Sequence, residues 1–291
     1  MAIKNLAFKG GGVLGIAYAG AITVLEQQGI LAGIEKVAGT SAGAITAAMV
    51  SLNYSAAEIR TIVNGTSFKS FEDRKDPFRI PITYGLYAGD ALLSFIQNQI
   101  TAKGLPATAT FRDFNTNNYK DLHVFATDLN IQDCQEFSFA TTPDVVVAEA
   151  IRASMSIPIF FKAWQFSNSV PSNHIYVDGG VIYNYPLTAF DTSTGANEET
   201  LGFYLTDMQD ADKDNGLQTG QIEDYIKVLF DTLMDAQVID FDKDPEMQDR
   251  TIKIDDLGIS STNFDLTTDQ EEALYQSGIK YTTAHFAGNA S

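Results

Sequence analysis

The sequence predicts a single α/β domain spanning residues 1–291, and three observations predict it. Short apolar runs of strand length alternate with longer segments whose apolar residues recur at helical spacing. No stretch of the chain repeats. No linker-like stretch divides it, and the chain is long enough to bury one large core.

Residues 3–8 read as a short buried strand entering the glycine-rich FKGGGVLGIAYAG. Residues 13–28 follow as a helix, with Gly29 placed to stop it. A second strand, 36–38, ends in GTSAG, and 42–52 is a helix of small residues suited to close packing on a sheet. SAAEIRTIVNG opens on a capping box of Ser55 and Glu58. Residues 66–88 read as irregular: Phe68, Phe71, Phe78, Tyr84 and Tyr87 alternate with Lys69, Arg74, Lys75 and Arg79, and two prolines interrupt. A helix over 90–101 precedes the strand DLHVFATDL (121–129) and its partner EFSF (136–139). Pro143 introduces the helical VVVAEAIRAS, HIYVDGG (174–180) is a strand with a glycine turn, and 201–206 is strand-like. Ile222, Tyr225, Ile226, Leu229, Phe230, Leu233 and Met234 mark an amphipathic helix. A last helix starts at Thr268, with Glu271 completing a capping box, and runs toward His285.

Composition narrows the function classes. The net charge is −18, concentrated in residues 207–256, where 15 acidic side chains face 5 basic ones. Such a field excludes nucleic acid as a partner, because a duplex calls for a basic stripe. No run reaches the roughly 20 apolar residues of a membrane span, and the N-terminus lacks the pattern of a secretory signal. A single cysteine, Cys134, makes no internal disulfide. The reading is a cytoplasmic protein with scope for peripheral membrane association; export by a signal-less route leaves the same trace.

Three short motifs carry chemistry. GTSAG follows a strand and precedes a helix, the context of a nucleophile elbow: Gly39 and Gly43 let the chain turn sharply enough to lift the Ser41 hydroxyl clear of the sheet. A serine nucleophile needs a base, and VDGG sets Asp178 at a strand end followed by Gly179 and Gly180, free of bulky neighbours. An aspartate is a weak base at its ordinary pKa of about 3.9, which dehydration raises. Gly10, Gly11 and Gly12 are placed to turn backbone N–H groups toward an oxyanion.

With these motifs in order, the sequence resembles the patatin-like phospholipases over nearly its whole length: KGGGVLG, GTSAG, ATDL at 126–129, ASMSIPIF at 153–160 and DGGVIYNYP at 178–186. The resemblance implies a Ser–Asp dyad on a mostly parallel sheet with helices on both faces, hydrolysing lipid acyl esters without metal or cofactor. By matching motif, Ser41 is the nucleophile, Asp178 the base, and Gly10 to Gly12 the oxyanion loop. The implied partner is a lipid at a membrane surface, with any protein activator or oligomer left open. One departure stands out: the family's glycine loop continues with Arg or Lys where this sequence has Leu14, and Lys9 lies on the loop's other side.

Other readings stand beside this one. Gly10, Gly12 and Gly15 also satisfy a dinucleotide fingerprint, with Glu35 near the required separation, yet Glu35 precedes its strand, at the edge opposite a bound ribose. Ser41, Asp178 and His285 occur in the order of an α/β-hydrolase triad. His123 reads as a strand residue and His174 as a loop residue, each structural. A catalytically degenerate lipid-binding protein is a further alternative. DADKDNG (210–216) resembles a calcium loop but lacks its glycine and its closing glutamate, which leaves a solvated acidic loop. The aromatic and basic residues of 66–88 read either as a packed connection or as a lid at a membrane interface.

Overall fold

A computed structural model of the chain describes residues 2–208, 222–235, 237 and 243–288. In order, the elements are β1 (Asn5–Phe8), α1 (Ile16–Gln27), β2 (Lys36–Thr40), α2 (Ala42–Ser51), α3 (Ala56–Asn64), α4 (Ile80–Thr83), β3 (Gly85–Tyr87), α5 (Asp90–Ala102), α6 (Phe111–Thr116), β4 (Asp121–Asp128), β5 (Asp133–Phe137), α7 (Val147–Ser154), β6 (Ile159–Phe161), β7 (Tyr176–Asp178), β8 (Thr200–Thr206), α8 (Ile222–Asp235), α9 (Pro245–Asp249), β9 (Thr251–Asp255) and α10 (Thr268–Gly288).

The main sheet runs β5-β4-β2-β1-β8-β9. Its central pairs are parallel, while β5 and β7 lie antiparallel to β4. The register along β4 builds the site. Residues 121–125 of β4 pair with β2, ending at Thr40↔Phe125, and the next residue, Ala126, pairs with Asp178 of β7. Strands β2 and β7 therefore meet end to end along one edge of β4. Parallel strands need crossovers, and here those crossovers are the helices.

The helices flank the sheet unequally. Alternation along the strands sends Leu6, Phe8, Val37, Val124, Phe203 and Leu205 to one face, where α1, α2, α7, α8 and α10 bury their apolar residues. The other face carries Ala7, Ala38, Phe125 and Tyr204, covered by Tyr185, Leu187, Phe190 and Met247. Small residues on that side let an irregular segment and the short α9 lie close to the sheet. Among the described residues, no helix is long and apolar enough to cross a membrane.

Several elements differ from the sequence expectations. The first helix begins at Ile16, because Gly12–Gly15 forms a 3-10 turn held by the Val13 N–H on the Ser261 carbonyl at 3.0 Å. The partner of β4 is Asp133–Phe137, earlier than expected, and β7 is only three residues long because Asp178 opens a 3-10 turn at Gly179. The last capping box is formed by Thr267 and Gln270, one residue ahead of Thr268 and Glu271. Segment 66–88 is ordered by short turns, α4 and β3, and β3 pairs with β6 in a separate two-stranded sheet. Residues 210–216 lie outside the described residues.

Candidate active site

Ser41 follows β2 directly and caps α2, in a backbone conformation (φ 53°, ψ −128°) that an L-residue adopts only under constraint. The constraint comes from both sides. A Cβ on Gly39 would run into the backbone of Gly43, and one on Gly43 would strike the carbonyls of Phe8 and Lys9. Only glycine permits the β2–α2 turn to close this tightly. The Ser41 N–H donates to Ser154 Oγ at 2.8 Å, and that hydroxyl donates to the Phe125 carbonyl at 2.5 Å. The end of α7 thus locks the turn to β4.

Asp178 arrives from the facing end of β7. Ser41 Oγ donates to Asp178 Oδ2 at 2.7 Å, and the Gly180 N–H donates to Oδ1 at 2.8 Å. The carboxyl is fully buried, and burial pushes its pKa up to about 7, against the opposing pull of the Ser41 and Gly180 bonds and the Arg152 charge. Arg152, also fully buried, donates to the carbonyls of Gly89 and Ala88 at 3.0 Å each and to Ser156 Oγ at 2.7 Å. The Ser156 carbonyl accepts the Asp178 N–H at 2.9 Å, so Arg152 steadies the strand that carries the acid. Gln237 bonds the Gly180 carbonyl and accepts the Asn184 N–H at 3.1 Å.

The glycine loop lies beside this pair, and its three glycines are not equivalent. The Gly10 N–H donates to the Asn184 carbonyl at 2.9 Å, so it is not available to a ligand as the sequence reading expected. Gly12 has φ 53°, and a Cβ there would overlap the Ser261 carbonyl. Gly15 faces Ala42, a helix-packing contact. Leu14, at the position where a cation was expected, is buried in the core. The Lys9 ammonium donates to the Leu205 carbonyl at 2.9 Å and stands 4.2 Å from the centre of the Tyr204 ring.

Two cavities open on Ser41. One, of about 360 Å³, is the more polar of the two: Gly10, Gly11, Asn184, Asp207, Asp231 and Asp256 line it together with apolar residues such as Leu205 and Phe230. The other, about 60 Å³, is apolar and includes Ile45, Met49, Phe68, Phe71, Phe95 and Phe161. No histidine lines either cavity. His123 pairs with Asp121 and Glu136, His174 with Asp128, and His285 sits on the last turns of α10. Glu35 precedes β2, at the sheet edge opposite Ser41. Among the described residues, one group has metal-like spacing: Asp207, Asp255 and Asp256, with oxygens within 4.8 Å of one another. Two of these carboxylates serve turns: Asp255 Oδ1 accepts the Leu257 N–H at 3.0 Å and Asp256 Oδ1 the Gly258 N–H at 2.9 Å.

Ser154, Ser156, Arg152, Asn184 and Gln237 were not singled out by the sequence. The first two lie in ASMSIPIF and Asn184 in DGGVIYNYP, motifs that flagged the region without assigning these side chains.

The model of a family described as patatin-like phospholipase matches residues 6–191. A protein of Acanthamoeba polyphaga mimivirus is 32% identical over 96% of this chain and 92% of its own length. YqhO of Bacillus subtilis is 30% identical over 94% of this chain and 95% of its own. A protein of Invertebrate iridescent virus 6 that is named as a lipid hydrolase is 27% identical over 63% of this chain and 62% of its own. Among solved structures, VipD of Legionella pneumophila superposes with a TM-score of 0.71 at 17% identity, covering 99% of this chain and 67% of VipD. The type III effector ExoU gives 0.56 at 16% identity over 99% of this chain, which spans about half of ExoU's length (53%). At such identities these two structures speak for the fold.

Proposed function

The chain belongs to the patatin-like phospholipase family, and from that premise we propose that it is a lipid acyl hydrolase working through Ser41 and Asp178. The observation that carries the reading is the 2.7 Å bond from Ser41 Oγ to the buried Asp178 carboxylate, at the point where a polar and an apolar cavity meet. Ser41 attacks the ester carbonyl while Asp178 Oδ2 takes its proton. The N–H groups of Gly11 and Gly12 receive the oxyanion, since that of Gly10 is committed to Asn184. The alcohol departs with the proton from Asp178, which then draws a proton from water attacking the acyl-serine. The positive end of α2 points at the nucleophile and favours the same charge.

The two cavities divide the substrate. The apolar one, between α2, α5 and the Phe68–Phe71 turn, takes the start of the acyl chain; the polar one takes the alcohol. Exposed Phe78, Ile82 and Tyr84, close in sequence to that turn, suit contact with a lipid surface. A fluorophosphonate probe tests the core of the reading. The wild type should label on Ser41 and release free fatty acid from lipid esters, and Ser41→Ala should do neither. Lipid binding without Ser41-dependent labelling or turnover would leave the degenerate lipid-binding alternative standing.

A further inference from the structure

Asn184 has no use in the chemistry described so far, yet it is the most conspicuous polar group at the site. Its side chain is 2% exposed. Among the described residues it alone has two polar side-chain atoms, the amide nitrogen and the amide oxygen, buried with no partner. Burying an unpaired amide group forfeits its hydrogen bonds to water with nothing in return, and an apolar residue would fill the same space without that cost. Packing therefore does not explain it.

Its backbone is held at both ends, with its carbonyl accepting the Gly10 N–H at 2.9 Å and its own N–H donated to Gln237 at 3.1 Å. The side chain lines the polar cavity together with Ser41 and Gly11. Its place is fixed by what it would touch. A Cβ built on Gly10 collides with the Asn184 amide and stands 3.1 Å from Ser41 Cβ. A Cβ on Gly180 stands 2.9 Å from the Asn184 amide and 3.0 Å from Asp178 Oδ1. The carboxamide thus hangs over Gly10, between the nucleophile and the turn that carries the base.

We propose that Asn184 is a catalytic residue, a side-chain donor to the oxyanion alongside the Gly11 and Gly12 N–H groups; this rests on the hydrolase reading above. Rotation about the last torsion exchanges amide oxygen and nitrogen, so the NH2 group can face the cavity. As Ser41 Oγ bonds to the carbonyl carbon, its proton moves to Asp178 Oδ2 and the carbonyl electron pair moves onto oxygen. Asn184 Nδ2–H meets that charge. When the pair returns and the alcohol leaves with the proton, the bond relaxes. A carboxamide suits this task because it donates without carrying charge, and a pinned backbone leaves little to reorganise.

The test compares wild type, Asn184→Ala and Asn184→Asp on a water-soluble ester, with a trifluoromethyl ketone as a mimic of the tetrahedral state. Asn184→Ala retains both backbone bonds. It should lose roughly 10²–10³-fold in kcat, with KM nearly unchanged and a thermal midpoint equal to or above wild type. Ketone affinity should fall by a factor similar to that in kcat/KM. Asn184→Asp, the same size, should be at least as impaired near neutral pH, because a carboxylate repels the oxyanion. Wild-type kcat in either variant would overturn the assignment. So would a fall in thermal midpoint with ketone affinity retained, which marks a structural brace. A wild type whose Ser41 fails to label with fluorophosphonate removes the hydrolase reading itself, and the Asn184 role with it.

Discussion

Asp178 is an acid placed where its charged form is disfavoured, and that placement has two measurable consequences of opposite kind. In the proposed role of base it must be ionised, so kcat/KM on a soluble ester should climb with pH and level off above an apparent pKa of about 7. A profile flat from about pH 5 to pH 9 would remove Asp178 from that role. In stability the sign reverses. In the unfolded chain the carboxyl ionises near its model value of 3.8, whereas in the fold it keeps its proton up to about 7. Stability from this group is therefore complete at low pH and lost between those two values. Asp178→Asn, neutral throughout, should abolish turnover yet melt higher than wild type at about pH 8, with the gain shrinking toward pH 4. An equal difference in melting temperature at both pH values would contradict the burial argument. Ser154 offers a third check at this scale. Ser154→Ala leaves the Ser41 N–H without its acceptor, and should cost about 1–2 kcal/mol in stability together with a fall in kcat.

At the scale of elements, the readable parts of the chain were those governed by local geometry. GTSAG requires glycine two residues either side of the serine, because backbone from the same turn or the neighbouring β1 loop fills the space of a Cβ, and that requirement is written in five consecutive residues. What escaped is held by distant partners. Ser154 reaches Ser41 across 113 positions, and the three-residue strands β3 and β6 exist only because they pair with each other. Strand β9 is called up by β8, and α6 is short enough that its own periodicity says little. The stretch 66–88 shows the same limit. Its aromatics look alike in sequence, but Phe71 is buried against Phe68 and Phe95 as cavity wall, whereas Phe78 is 84% exposed. Phe78→Ala should therefore lower activity on vesicles and spare a soluble ester, while Phe71→Ala should lower both; identical profiles for the two variants would refute this division. Helices α1 and α10 pose a separate packing test. A Cβ on Gly278 would overlap the Ala17 carbonyl, and one on Gly20 the Tyr275 carbonyl. Gly278→Ala should destabilise by about 1–3 kcal/mol, read by chemical unfolding, with turnover per folded molecule little changed.

Across the whole molecule, the distribution of charge bears on which lipid surface the enzyme can work at. In the sequence, Lys69, Arg74, Lys75 and Arg79 interleave with the aromatics of 66–88 in a pattern that suits a membrane–water boundary. In the fold most of that charge is engaged: Lys69 pairs with Glu72, Arg74 with Asp90 and Lys75 with Glu223, and Arg79 donates to the Arg74 carbonyl at 2.8 Å. Meanwhile Asp207, Asp231 and Asp256 line the polar cavity that opens on Ser41, where they outnumber Lys9. A mouth of this sign on a chain of net charge −18 repels an anionic surface over about a Debye length, roughly 10 Å at 0.1 M salt. Contact then depends on apolar side chains such as Phe78 and Ile82, whose transfer from water is indifferent to lipid charge. Activity should accordingly be higher on zwitterionic vesicles than on vesicles rich in anionic lipid carrying the same ester. Added salt should narrow that gap by relieving the repulsion, and a preference for anionic vesicles that weakens with salt would reverse the electrostatic assignment.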